Sequence, residues 1–126
     1  MKQPFAAFLV ARYKSGYAAT TRAADRGEAG RIGLPGGKLD PGETAEQAVI
    51  RESAEEGWLI SRGAELHLIH EQLVEGRLVQ WFELKGSVRI ARTYKEQGRI
   101  RPIMVHLSDL IKSGYGNDVA LKGLES

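Results

Sequence analysis

No cysteine occurs in the chain, which excludes a disulfide framework and a thiolate metal centre and makes a reducing compartment, the cytoplasm, the expected setting. No hydrophobic run is long. The apolar stretch at residues 5–11 falls well short of the roughly 20 residues a membrane helix needs, and it lacks the basic flank and small-residue cleavage site of a signal peptide. No membrane partner is therefore expected. Proline is scarce, with four residues, and neither an internal repeat nor a Pro/Gly/Ser tract interrupts the 126 positions, so residues 1–126 are expected to form one domain. An excess of either charge is also missing: 18 Lys+Arg face 16 Asp+Glu, a net +2. The acids nevertheless concentrate at residues 40–56. The rest of the chain is correspondingly basic, which suits anionic partners such as nucleotides or RNA.

Among what is present, alternating and continuous apolar segments dominate the first half. Residues 5–11 read as a buried strand, Lys14-Ser15-Gly16 as a turn, and residues 17–22 as a return strand, predicting a hairpin. Residues 23–30 read as a polar loop or short helical turn, and residues 31–35 as a short extended segment entering Gly36-Gly37. Thr44 followed by Gln47 is a capping-box pattern, predicting a helix to about Glu56 with Gly57 as its stop. Ala45, Ala48 and Val49 form one apolar stripe of that helix, while Ile50 and Ala54 lie on the other side, predicting cover on two faces.

Residues 65–74 and 77–85 around Glu75-Gly76 read as a second hairpin carrying Trp81 and Phe82. Adjacent positions of a strand face opposite ways, so one aromatic is expected in the core and the other beside the site. Residues 87–94 and 101–106 are further strands. Ser108 is expected to cap a short helix through Lys112, and Asn117 a last amphipathic helix carrying Val119, Ala120, Leu121 and Leu124. Hairpins with interspersed helices predict an α/β class, with helices packed on a mixed sheet.

Chemistry concentrates on the capped helix. Glu52 and Glu56 continue the Ala45/Ala48/Val49 stripe, where a purely structural helix would carry Leu or Ile. With Glu55 they stand at i, i+3 and i+4, on one face. Carboxylates so placed repel unless a cation lies among them, and a hard divalent ion bound by a few carboxylates and substrate phosphates is the expected one. Magnesium is the first choice, with manganese as an alternative. A backbone carbonyl of the glycine loop could complete its shell. Arg51 beside these acids and Glu43 ahead of the cap predict an ion pair fixing the loop to the helix.

Residues 37–59 resemble the signature box of the Nudix hydrolases, G-x5-E-x7-R-E-U-x-E-E-x-G-U with U aliphatic. Gly37, Glu43, Arg51, Glu52, Glu55, Glu56 and Leu59 meet the pattern, whereas Ser53 stands at an aliphatic position and Trp58 at the late glycine. Thr21-Arg22-Ala23-Ala24-Asp25, Leu34-Pro35-Gly36-Gly37-Lys38, Trp81-Phe82, Lys95-Glu96 and the Asn117 segment extend the likeness, which is nearest to the MutT-type nucleoside triphosphate pyrophosphohydrolases. That resemblance implies a Nudix α/β/α sandwich with a mixed β-sheet. It implies metal ligands at Glu52, Glu55, Glu56 and the Gly36 carbonyl, with Glu96 as a further ligand or proton-transfer group. Catalytic duties would be shared by Glu43, Arg51, Glu55, Glu56 and Glu96. Arg22 and Lys38 match positions that meet phosphates, Asn117 one that reads a base, and Trp81 one bordering the substrate. Leu34 replaces the aromatic residue that MutT-type enzymes place before P-G-G.

The activity implied is metal-dependent hydrolysis of the pyrophosphate linkage of a nucleoside triphosphate or related nucleoside diphosphate derivative. A triphosphate would give a monophosphate and pyrophosphate, and oxidised guanine triphosphate is the most specific candidate. Two alternatives stay open: an RNA 5′-end pyrophosphohydrolase, for which Arg89, Arg92, Arg99 and Arg101 would serve as a track, and a nucleotide-binding domain without turnover. Nucleotides are the expected partners ahead of nucleic acid, and edge strands are compatible with a monomer or a homodimer.

Overall fold

The computed structural model describes residues 3–22, 31–114 and 116–125. In chain order the elements are β1 (Ala6–Val10), β2 (Arg12–Tyr13), β3 (Gly16–Arg22), β4 (Ile32–Gly33), β5 (Gly36–Lys38), α1 (Ala45–Glu55), β6 (Trp58–Ile60), β7 (Glu65–Val74), β8 (Arg77–Lys85), β9 (Val88–Ile90), β10 (Ile100–Val105), α2 (Leu107–Lys112), α3 (Asn117–Ala120) and a 3-10 turn (Lys122–Glu125). The expected loop at residues 23–30 lies outside the described residues, as does Tyr115.

β1 organises the molecule because its side chains are needed on both faces. Ala6 and Val10 join Val79 and Trp81 of β8 and Leu110, Ala120 and Leu121 of the C-terminal helices in one core. Ala7, Leu9 and Ala11 point the other way and join Phe82 and Leu84 of β8, Ala45 and Val49 of α1, and Trp58 in a second core. The result is a mixed sheet of order β5-β1-β8-β7 between helical layers, β1 running parallel to β8 and antiparallel to β5. A second sheet carries β10, β3 and β2, with β4 also on β3, and β6 pairs with β9. The architecture is the expected α/β one. α1 is built as the sequence reads: Thr44 accepts from the Gln47 N–H at 3.1 Å, and Gln47 Oε1 accepts from the Thr44 N–H at 3.0 Å.

Several local expectations need correction. Residues 5–11 and 17–22 do not pair as one hairpin. β1 takes ladder partners on both sides from β5 and β8, and only Arg12–Tyr13 turns back on β3. Ile50 is exposed rather than covered, so α1 buries its Ala45/Ala48/Val49/Ser53 side alone. The strand expected at 87–94 stops at Ile90, because the next backbone N–H, of Ala91, turns to the Gly57 carbonyl. His106, not Ser108, occupies the N-cap of α2, since β10 runs through Val105 and the helix begins at once. Gly116 is the N-cap of α3, and Asn117 lies inside the helix with its side chain engaged elsewhere. The second hairpin forms as expected, with Val74 opposite Arg77.

Trp58 accounts for the departure at the late glycine of the signature. Gly57, one position earlier, takes the left-handed backbone (φ +102) that ends the helix, and so leaves the next position free for a large side chain. Trp58 is fully buried, donates from its indole N–H to the Ala19 carbonyl at 2.8 Å, and packs edge-on against Tyr13. Ser53 is also fully buried, and among the described residues its hydroxyl has no hydrogen-bond partner.

Candidate active site

A cavity of about 690 Å³ opens between the glycine loop, the exposed end of β3 and the start of β10. Its lining carries three kinds of chemistry. Glu52, Glu56 and Glu96 supply acid, Arg22, Lys38 and Arg99 supply positive charge, and Phe5, Phe8, Ile32, Leu34 and Ile100 supply apolar surface, with Asn117 at one side.

Two glycines let α1 come close to β5. A Cβ on Gly37 would stand 2.8 Å from Glu52 Oε2, so only glycine leaves that carboxylate its place. Gly36 has φ +137, and its N–H donates to Glu56 Oε1 at 2.8 Å. Glu56 is 8% exposed. Burial raises its pKa to about 8, opposed by the Gly36 N–H and by Arg22 and reinforced by Glu52 and Glu55. Burial also raises the pKa of Glu52, partly offset by Arg51.

Gly37→Ala should therefore leave the fold standing, because the methyl group meets the far end of a flexible side chain, but it should displace the Glu52 carboxylate. Turnover is expected to fall roughly 10- to 100-fold with little change in thermal midpoint, since small misplacements of a reacting group act on rate more than on stability.

Arg51 holds the acids in register. Its Nε and Nη2 fork onto both Glu43 oxygens at 2.7 and 2.9 Å, as the sequence predicts. Nη1 reaches Glu52 at 2.9 Å and Glu55 at 3.3 Å, and Nη2 also donates to the Lys38 carbonyl at 3.1 Å. The guanidinium, together with the Asp40 N–H, holds Glu43 down at about pKa 2, and the same carboxylates push the Arg51 pKa above its ordinary value.

The expected convergence of three acids on one patch holds for two. Glu52 and Glu56 border the cavity, but Glu55 turns to Arg51 and to Lys95 Nζ at 3.3 Å. Three residues on from Glu52 is about 60° short of a full turn pair, enough to bring Glu55 to the flank. Among the described residues, no three Asp, Glu, His or Cys side chains are disposed as they stand to hold a metal. The donors fit a hard divalent ion nonetheless: Glu52, Glu56 and Glu96 bring carboxylate oxygens to one cavity, and among the described residues no cationic side chain is bonded to buried Glu56.

Arg22, Leu34 and Lys38 line the cavity, and so does Glu96, whose backbone N–H is held by the Glu55 carbonyl at 2.9 Å. Trp81 does not. Its side chain is fully buried, and Phe82 points into the opposite core, so neither aromatic borders the site. Trp81 instead donates from its indole N–H to Asn117 Oδ1 at 2.9 Å, while Asn117 Nδ2 donates to Ser113 Oγ at 3.0 Å. Asn117→Ala should cost about 1–3 kcal/mol in chemical denaturation by leaving a buried N–H without an acceptor. In a Trp81→Phe background the same change should cost less. Sequence reasoning missed Phe5, Phe8, Ile32 and Ile100 as cavity walls, because apolar strand residues carry no mark that distinguishes a wall from a core.

Comparison with known proteins is consistent with this geometry. The NUDIX domain family matches residues 2–103. A 37-residue stretch is 57% identical to the 8-oxo-dGTP diphosphatase of Escherichia coli (strain K12), covering 29% of each chain; the chain thus spans under a third of that relative's length. Among solved structures, a NUDIX hydrolase from Nitrosomonas europaea is similar with a TM-score of 0.67 at 22% identity, covering 98% of this chain and 87% of that one. A MutT NUDIX hydrolase from Burkholderia pseudomallei is similar with a TM-score of 0.63 at 22% identity, covering 97% and 98%.

Proposed function

The chain belongs to the NUDIX domain family, the Nudix hydrolases, and from that premise we propose that it hydrolyses the pyrophosphate linkage of a nucleoside triphosphate. The same site would accept related nucleoside diphosphate derivatives. One observation carries this reading: acids, cations and apolar side chains line one cavity, the mixture that a substrate with a charged phosphate chain and a flat base calls for.

Glu52, Glu56 and Glu96, with Glu55 and the Gly36 carbonyl, would hold the divalent ion, Mg2+ or Mn2+. Such an ion supplies charge compensation to the phosphates and acidifies bound water. Arg22 and Lys38 draw in the phosphate chain, and Arg51 keeps the carboxylates from splaying. A glutamate of this set accepts the proton as water oxygen bonds to phosphorus and the anhydride P–O bond breaks, leaving a monophosphate and pyrophosphate. Leu34, Phe8 and Asn117 line the same cavity, and we assign the base to their side of it, with the Asn117 amide itself held by Trp81 and Ser113. The likeness of the 37-residue stretch to an 8-oxo-dGTP diphosphatase supports oxidised guanine nucleotides as the substrates to try first.

The test is release of phosphate in magnesium, with inorganic pyrophosphatase added, across a panel of normal and oxidised nucleotides. Release that depends on both magnesium and pyrophosphatase is the expected result. No release from any nucleotide, with binding retained, would make this a nucleotide-binding domain without turnover.

A further inference from the structure

Resting on the proposed hydrolysis, we infer that Gln3 is a positioning residue for that reaction: its side-chain amide braces the turn at residues 40–43 and, through Glu43 and Arg51, keeps the Glu52 carboxylate at the cavity. Gln3 Nε2 donates to the Asp40 carbonyl at 2.9 Å and to the Glu43 carbonyl at 2.7 Å. A primary amide carries two N–H donors, so both are spent on this one turn. The turn also closes on itself. Glu43 N–H donates to the Asp40 carbonyl at 3.0 Å, and Asp40 N–H donates to Glu43 Oε1 at 2.8 Å. Gln3 is brought there by the sheet: Ala6 stands opposite Lys38, Leu39 N–H donates to the Phe5 carbonyl at 3.1 Å, and Phe5 N–H donates to the Leu78 carbonyl at 2.8 Å. The pairing of β1 with β5 thus runs on past both strands until the glutamine meets the turn.

Hydrogen bonds, not packing, set the place of this turn. Asp40, Pro41 and Gly42 are exposed, and a Cβ on Gly42 would meet nothing within 4 Å. A segment with so few buried contacts shifts at little cost once its polar bonds are lost. What it carries makes the shift matter. The Glu43 carboxylate takes the Arg51 fork at 2.7 and 2.9 Å, and Arg51 Nη1 donates to Glu52 at 2.9 Å. Glu52 in turn fills the space that Gly37 leaves beside α1, a fit that a Cβ only 2.8 Å away would spoil. Gln3 does not line the cavity, so it acts through this relay and not on the substrate. A displaced turn would let the Arg51 fork drift and carry Glu52 with it, and a reacting group is sensitive to small displacements.

Two variants and a double mutant test the relay. Gln3→Met keeps the length of the side chain and removes both donors, whereas Gln3→Lys restores donors on an ammonium with three N–H groups. Binding of Mn2+, read from the paramagnetic resonance signal of the free ion, is measured beside kcat and KM on the nucleotide that the release panel identifies. Gln3→Met should weaken Mn2+ binding and lower kcat, each roughly three- to tenfold, with KM within about twofold of wild type. Gln3→Lys should return both to near the wild-type values. In an Arg51→Ala background Gln3→Met should have no further effect on Mn2+ binding, because the relay is already cut. Unchanged Mn2+ binding in Gln3→Met, no recovery in Gln3→Lys, or an equal loss with and without Arg51 would overturn the inference. The first of these, seen with a lowered thermal midpoint, would leave Gln3 a purely structural residue. If Gln3→Met binds Mn2+ more weakly than wild type yet no nucleotide is hydrolysed, the brace stands and the proposed hydrolysis fails.

Discussion

Glu56→Gln should lower kcat in magnesium roughly 10²–10⁴-fold while making the metal-free protein more resistant to heat. The amide keeps the shape of the side chain, and its oxygen can still accept the Gly36 N–H, so the fold has no reason to change. It loses the negative charge a cation would use and the capacity to take a proton. The stability gain follows from linkage. In wild type the pKa rises from 4.5 to about 8 on folding, so the folded state holds this proton more tightly than the unfolded one. Stability from this group is complete below pH 4.5 and is lost as pH rises through about 8. Glutamine has no such loss. The advantage of the variant should therefore grow across that window to on the order of 5 kcal/mol in the absence of metal. Thermal melts and steady-state rates at several pH values check both halves; a destabilised variant, or one with wild-type kcat, would refute the role given to Glu56.

Arg51→Ala is expected to have the second largest effect, and on stability as well as rate. Removing the guanidinium leaves Glu43, Glu52 and Glu55 without the group that separates them, and Asp40 without a neighbour at 3.4 Å. The cluster is partly exposed, with Arg51 at 29%, so the loss should lie between surface and buried ion pairs, about 1–3 kcal/mol. Arg51→Lys should recover little, because an ammonium cannot fork onto both Glu43 oxygens. The acid limb supplies an independent check. Glu43 falls from 4.5 to about 2 on folding, so its contribution is present above pH 4.5 and disappears as pH falls through about 2. Denaturant titrations at acid pH should show this dependence in wild type and a flatter one in Arg51→Ala.

The acidic helix was legible in the sequence because its information is local. Capping box, Arg51–Glu43 pair and Glu52–Glu56 alignment all follow from spacings of three, four and eight residues, and all form. What lay hidden depends on residues distant in the chain. The parallel pairing of β1 with β8 joins positions more than seventy apart, and a local turn signal at Lys14-Ser15 pointed to the nearer partner instead. Trp81 and Phe82 could be assigned to opposite faces but not to particular cores, since both faces of the sheet are covered. Asn117 had the right residue type for a cap, yet a buried indole N–H thirty-six positions away claimed its oxygen. Likewise Phe5, Phe8 and Ile100 become walls of a cavity only when β1 and β10 are brought together.

The central claim is that Glu52, Glu56 and Glu96 bind a divalent cation in one cavity, and titration with Mn2+ followed by the paramagnetic resonance signal of the free ion tests it most directly. The wild-type protein should remove Mn2+ from solution and release it to excess Mg2+, and Glu56→Gln should bind it at least tenfold more weakly, about 1.4 kcal/mol. Equal Mn2+ binding by wild type and Glu56→Gln would contradict the account.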